Sequence, residues 1–105
     1  MKSHYRAVVI GGGVVGASTL YHLAKMGWND VALLEKLEYT SGSTWHAAGL
    51  LPLFNMSYSV GKIHKYSVDL YQTLEKETGQ VVSFHKTGNL RLARNQERMD
   101  EYKRY

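Results

Sequence analysis

With 105 residues, the chain has room for one small domain. Its 44% hydrophobic and 21% charged residues, with a single proline, are the composition of a globular chain rather than a disordered one. A net charge of +4 carried by scattered basic residues excludes a nucleic-acid tract, and the lack of cysteine excludes disulfides, thiolate catalysis and cysteine-held metal or iron–sulfur centres.

The first predicted element is a strand over residues 6–10, which runs apolar and β-branched from Ala7 to Ile10. Such continuous apolar character marks a parallel strand buried on both faces. It begins too close to Met1 for a signal or transit peptide to fit ahead of it. The expectation is a cytoplasmic protein, or one of the mitochondrial matrix if a transit peptide precedes this sequence. No apolar run approaches the roughly 18 residues that span a bilayer.

A helix is predicted over residues 13–26, with Val15, Thr19 and Leu23, and Leu20 and Ala24 beside them, as its apolar stripe. Gly27 follows in the position where positive φ ends a helix. A second apolar strand covers residues 31–34 and stops at Glu35. Residues 36–43 read as a loop, and residues 44–50 as a short helix that Pro52 ends. Ser57 or Ser59 can cap a longer helix reaching about Thr78, with Val60, Ile63, Ser67, Leu70 and Leu74 buried and Gly79 as its stop. Residues 81–85 and 90–93 have the composition of two short strands joined by a hairpin over Lys86, Thr87, Gly88 and Asn89. Residues 96–105 read as a helix that no glycine, asparagine or proline closes. The expectation is therefore an N-terminal piece of a longer protein, the remainder of which completes the sheet.

Gly11, Gly13 and Gly16 satisfy G-x-G-x-x-G. That pattern is weak alone, but here a strand precedes it, a helix follows it, and an acid closes the next strand. Glu35 lies 24 residues after Gly11 and 19 after Gly16, near the spacing of about 20 that a dinucleotide site requires. Gly11 permits the tight turn, Gly13 lets the backbone approach a pyrophosphate, and Gly16 lets the helix pack on the strands. The first helical amides and the helix dipole then meet the negative charge. Glu35 can accept hydrogen bonds from both ribose hydroxyls and repels a 2′-phosphate, which disfavours NADP. Spacing alone does not separate NAD from FAD.

The stretch Ser41-Gly42-Ser43-Thr44-Trp45-His46-Ala47-Ala48-Gly49-Leu50 follows strand two. Small hydroxyl residues at a turn make a second anion-friendly backbone nest. It suits the other phosphate or the ribityl chain of an extended dinucleotide, with His46 near a flavin ring. By residue type alone, His46 is an acid–base, metal or hydrogen-bonding group.

Several segments together resemble the N-terminus of the dimethylglycine and sarcosine dehydrogenases, flavoproteins of the D-amino-acid-oxidase-like superfamily. They are VVIGGGVVG at residues 8–16, YHLAKMG at 21–27, LLEK at 33–36 and GSTWHAAGL at 42–50. The likeness continues through Leu70-Tyr71, Leu74-Glu75, ETGQVV at 77–82, Phe84-His85, Gly88 and RLA at 91–93, so it covers almost the whole chain. The glycine motif is shared by many flavoproteins, whereas STWHAAGL and ETGQVV are far more specific.

The resemblance implies an α/β fold with an incomplete Rossmann-type β-α-β FAD-binding unit. Glu35 would sit on the adenosine ribose, with Val14, Val15 and Lys36 near the adenosine and phosphates. Gly42, Ser43, Thr44, Ala47, Ala48, Gly49 and Leu50 would line the pyrophosphate and flavin. His46 would carry FAD covalently, through an imidazole nitrogen bonded to the 8α carbon of the isoalloxazine. It further implies a small amine substrate whose binding residues lie outside this stretch, as would a tetrahydrofolate-binding half where a member has one. No catalytic residue is therefore expected in this stretch.

Other residues carry less. His64, Tyr66 and Tyr71 read as packing or surface on the long helix, and His85 as a structural polar contact. His4 and His22 have no ligand spacing to a partner, so no metal site is expected. Two rival functions remain: an NAD-linked dehydrogenase, which leaves residues 41–50 without a role, and a non-catalytic nucleotide-binding module.

Overall fold

The computed structural model describes residues 2–104, and they divide into two units, Met1–Gly49 and Leu50–Tyr105. In the first, strand β1 (Ala7–Ile10) leads into helix α1 (Val14–Lys25) and then strand β2 (Val31–Leu34). The strands pair in parallel with Ala7 opposite Val31 and Ile10 opposite Leu34. The ladder extends one bond at each end: Arg6 N–H donates to the Asp30 carbonyl (2.9 Å) and Gly11 N–H to the Leu34 carbonyl (2.8 Å). The Arg6 guanidinium lies 3.9 Å from the centre of the Trp28 ring, which fixes the turn before β2. Gly27 closes α1 at φ +84°, its N–H donating to the Ala24 carbonyl.

Two sequence expectations change here. Alternate residues of β1 are exposed rather than buried on both faces: Ile10 is 85% exposed, and Val8 is also largely open. A two-stranded sheet with α1 on one side covers only the side chains that point at α1. On α1 the partly covered positions are Gly16, Leu20, Tyr21, His22 and Leu23, whereas Val15, Thr19 and Ala24 are exposed. The Thr19 hydroxyl donates back to the Val15 carbonyl within the helix.

The second unit contains α2 (Tyr58–Thr78) and α3 (Gln96–Tyr102). Ser57 caps α2 by accepting from Val60 N–H, and Gly79 ends it in the left-handed conformation at φ +71°. The inward face keeps part of the expected stripe. Ser67, Leu70 and Leu74 are covered as expected, whereas Val60 and Ile63 are exposed, and His64, Val68 and Tyr71 join the covered side. Val68, 5% exposed, is the one buried apolar side chain of the core among the described residues. His64 turns inward because its Nδ1 hydrogen-bonds the Pro52 carbonyl at 2.7 Å. Asn95 caps α3 by accepting from Arg98 N–H, and α3 stops at Tyr102; Tyr105, the end of the expected helix, lies outside the described residues.

Residues 81–93 form no strand. Val81, Leu90 and Leu92 are exposed, and Ser83 and Gly88 take positive φ. A lone hairpin of this length is marginal without a further strand or an apolar face to pack on. No helix among the described residues is long and apolar enough to cross a membrane.

Candidate nucleotide-binding site

The site is built where β1 ends. Gly11 turns the chain at φ +108°, a conformation that costs side-chain-bearing residues energy. Gly13, in extended backbone, is the residue from which α1 springs, and its carbonyl accepts the first helical hydrogen bond from Ala17 N–H (2.9 Å). The amides of Val14, Val15 and Gly16 precede that bond and so have no partner within the helix. A Cβ on Gly16 would run into the backbone carbonyl of Gly11, so only glycine lets α1 pack this close to the turn.

Gly12, between the motif's first two glycines, holds the turn together. It is buried. Its N–H donates to Glu35 Oε2 (2.6 Å), and its carbonyl accepts from Thr40 N–H (3.1 Å). A Cβ there would press on the Tyr39 ring. The G-x-G-x-x-G pattern leaves this residue unspecified; its signal in the sequence is the unbroken run of three glycines, of which it is the middle one. Thr40, a non-glycine residue at φ +66°, carries no such signal in the sequence.

Glu35 accepts twice, from Gly12 N–H at Oε2 and from Leu37 N–H at Oε1 (2.9 Å). These two bonds, the Gly12 one foremost, hold its carboxyl below the ordinary value of 4.5 against the opposing effect of burial. Each carboxylate oxygen spends one acceptor position on an amide and keeps another for a ligand hydroxyl.

Residues 44–50 are not helical. Residues 39–46 form consecutive turns, with Ala47 N–H donating to the Thr44 carbonyl (3.2 Å). The Thr44 hydroxyl, which could have capped a helix of its own, accepts instead from Val14 N–H at 2.9 Å. Gly13 has no side chain with which to cap α1, so Thr44 caps it from another loop. The same oxygen would be only 2.9 Å from a Cβ on Gly13, too close for a residue with a side chain unless Thr44 moved.

An open cleft of about 460 Å³ lies along this seam. Of the sequence-predicted residues, Gly11, Gly13, Val14, Val15 and Gly16 line it from the turn, Glu35 and Lys36 from the end of β2, and Gly42, Ser43 and Thr44 from the following loop. His46, Ala47, Ala48 and Gly49 lie outside it, and Leu50 belongs to the second unit. His46 is exposed, with its ring 4.0 Å from that of Trp45 and its Nδ1 3.1 Å from the Gly42 carbonyl.

The residues present fit the diphosphate end of a dinucleotide. First-turn amides, the positive end of α1 and a second loop of small residues open onto one cleft, with a carboxylate at its edge. Parallel β-α-β unit and cleft together define a Rossmann-type dinucleotide-binding fold. Residues 6–105 match the FAD dependent oxidoreductase family (DAO), and the chain belongs to that family. It is 57% identical to rat (Rattus norvegicus) dimethylglycine dehydrogenase, mitochondrial, over 97% of this chain and 12% of that protein. It is 45% identical to the formaldehyde-forming 4-methylaminobutanoate oxidase of Paenarthrobacter nicotinovorans, over 96% of this chain and 12% of the relative. The solved structure of glycine oxidase from Bacillus cereus superimposes with a TM-score of 0.68 at 30% identity, over 92% of this chain and 28% of that one. The chain thus spans about an eighth of the curated relatives it matches.

Proposed function

We propose that this chain is the N-terminal part of the FAD-binding domain of an oxidoreductase acting on an N-methylated glycine-type amine of the dimethylglycine or sarcosine class. The observation that carries the proposal is the bond from Val14 N–H to Thr44 Oγ1, which joins the glycine turn to the loop bearing Trp45 and His46. A nicotinamide nucleotide gives that loop no task; a flavin dinucleotide extending from the turn does.

Val15 and Gly16 would hold the diphosphate through first-turn amides beside Val14, whose own N–H is taken by Thr44, and Glu35 would hold the adenosine ribose through its remaining acceptor positions. Lys36 adds positive charge at the cleft's edge. Gly42, Ser43, Thr44, Ala47, Ala48 and Gly49 would follow the cofactor towards its ring. His46 would bond it covalently. A carbonyl can only accept, so the bond to Gly42 puts the proton on His46 Nδ1 and leaves Nε2 with its lone pair as the nucleophile. When bound, a flavin would supply a two-electron oxidant able to accept hydride from an N-methyl carbon, and the products would be the demethylated amine with formaldehyde or a folate-bound one-carbon unit. Amine-binding residues, and any folate-binding half, belong to sequence outside this stretch. The matrix is the compartment if a transit peptide precedes this sequence, and the cytoplasm if none does.

The test is anaerobic addition of dimethylglycine or sarcosine to the full-length protein. Bleaching of its visible flavin band supports the proposal. A protein that carries no flavin, or whose flavin neither amine reduces, overturns it.

A further inference from the structure

We infer that Trp45 is a positioning residue for the covalent bond at His46, acting by stabilising the cation that bond creates. This rests on the covalent reading above. When Nε2 takes a carbon substituent while Nδ1 keeps its proton, the imidazole becomes a cation. The Nε2–C8α bond forms, one C8α–H bond breaks with loss of its proton, and the electron pair of that bond passes to the flavin ring. A two-electron acceptor such as dioxygen then removes that pair.

Two neighbours of His46 favour the cationic ring. The Gly42 carbonyl, 3.1 Å from Nδ1, accepts a stronger hydrogen bond once the ring is charged. The Trp45 indole, with its centre 4.0 Å from that of His46 and its plane tilted by 39°, offers the best aromatic face for a cation. Neither contact needs the loop to be helical, and both come from residues within four positions of His46. The sequence order G-S-T-W-H thus carries its own support for the charge. Trp45 is 66% exposed, so replacing it empties no core.

The experiment follows covalent attachment in full-length apoprotein mixed with saturating FAD in air, so that differences in affinity drop out. Samples are quenched in acid, and flavin retained by the precipitated protein is read against time. Trp45→Leu keeps apolar bulk and removes the π face. Its attachment rate is expected to be about 2- to 5-fold lower, the scale of a cation–π contact at an exposed site. Trp45→Phe keeps a weaker π face and is expected to fall between Leu and the parent. Attachment by Trp45→Leu at the parent rate, or equal slowing by Phe and Leu, overturns the inference while leaving the covalent bond standing. A parent protein that retains no flavin in acid overturns the covalent reading and this inference with it.

Discussion

The glycine turn at residues 11–16 and the segment at residues 81–93 start from similar material and end differently. Both combine β-branched or aliphatic residues with glycine. At the turn, Gly11 N–H reaches Leu34, Gly12 N–H reaches Glu35 and Val14 N–H reaches Thr44. In residues 81–93 no ladder forms, and the apolar side chains stay exposed, Leu90 at 87%. Strand propensity describes how well a side chain fits a pleated surface, and it acts only when a partner strand is there. The first region carries its partner within one β-α-β unit. A helix needs no partner strand, which is why α2 appears where its cap residues put it.

The largest expected effect breaks the turn itself. Gly16→Val forces a branched side chain into the Gly11 carbonyl, and a loss of about 3 kcal/mol is expected in urea unfolding of the full-length protein. FAD retention should fall with it; unchanged stability would mean that α1 does not pack on the turn as described. Thr44→Val is next. It keeps the shape, removes the acceptor for Val14 N–H, and should cost about 1 kcal/mol, whereas Thr44→Ser should cost less than half of that. Equal losses in the two variants would argue that Thr44 acts through its methyl group.

Gly79→Ala tests the second region, where the signal is purely local. At φ +71° it should cost about 1 kcal/mol in the same unfolding assay, with no effect on flavin retention. The smallest effect is that of Glu35, a part-exposed carboxylate. Its folded value lies below 4.5, so its contribution is present above that pH and lost as pH falls through the lower folded value. The gap in unfolding midpoint between parent and Glu35→Gln should therefore narrow on acidification below about pH 4.5. A gap that widens would contradict the hydrogen bonds assigned to it.

Much of the turn was legible because its chemistry is written in neighbouring residues. Gly11, Gly13, Gly16 and Glu35 stand where the motif requires, β2 ends where its apolar run ends, and Ser57 and Gly79 bound α2. What was not legible depends on contacts between residues distant in sequence. The Thr44 hydroxyl reads as a cap for its own segment, yet it caps α1 across thirty positions. Gly12 looks like filler until its amide meets Glu35. The inward face of α2 runs through His64 because of a carbonyl twelve residues earlier. Periodicity measures apolarity, and it missed a histidine drawn inward by a hydrogen bond.

We propose that the loop joined to the glycine turn holds FAD at His46. The most direct measurement is the mass of the tryptic peptide spanning residues 37–62 from the full-length protein. The expected result is a peptide heavier by one FAD less two hydrogens, with fragment ions placing the addition on His46 and a His46→Ala variant lacking it. An unmodified peptide, with all flavin released on denaturation, would contradict the claim.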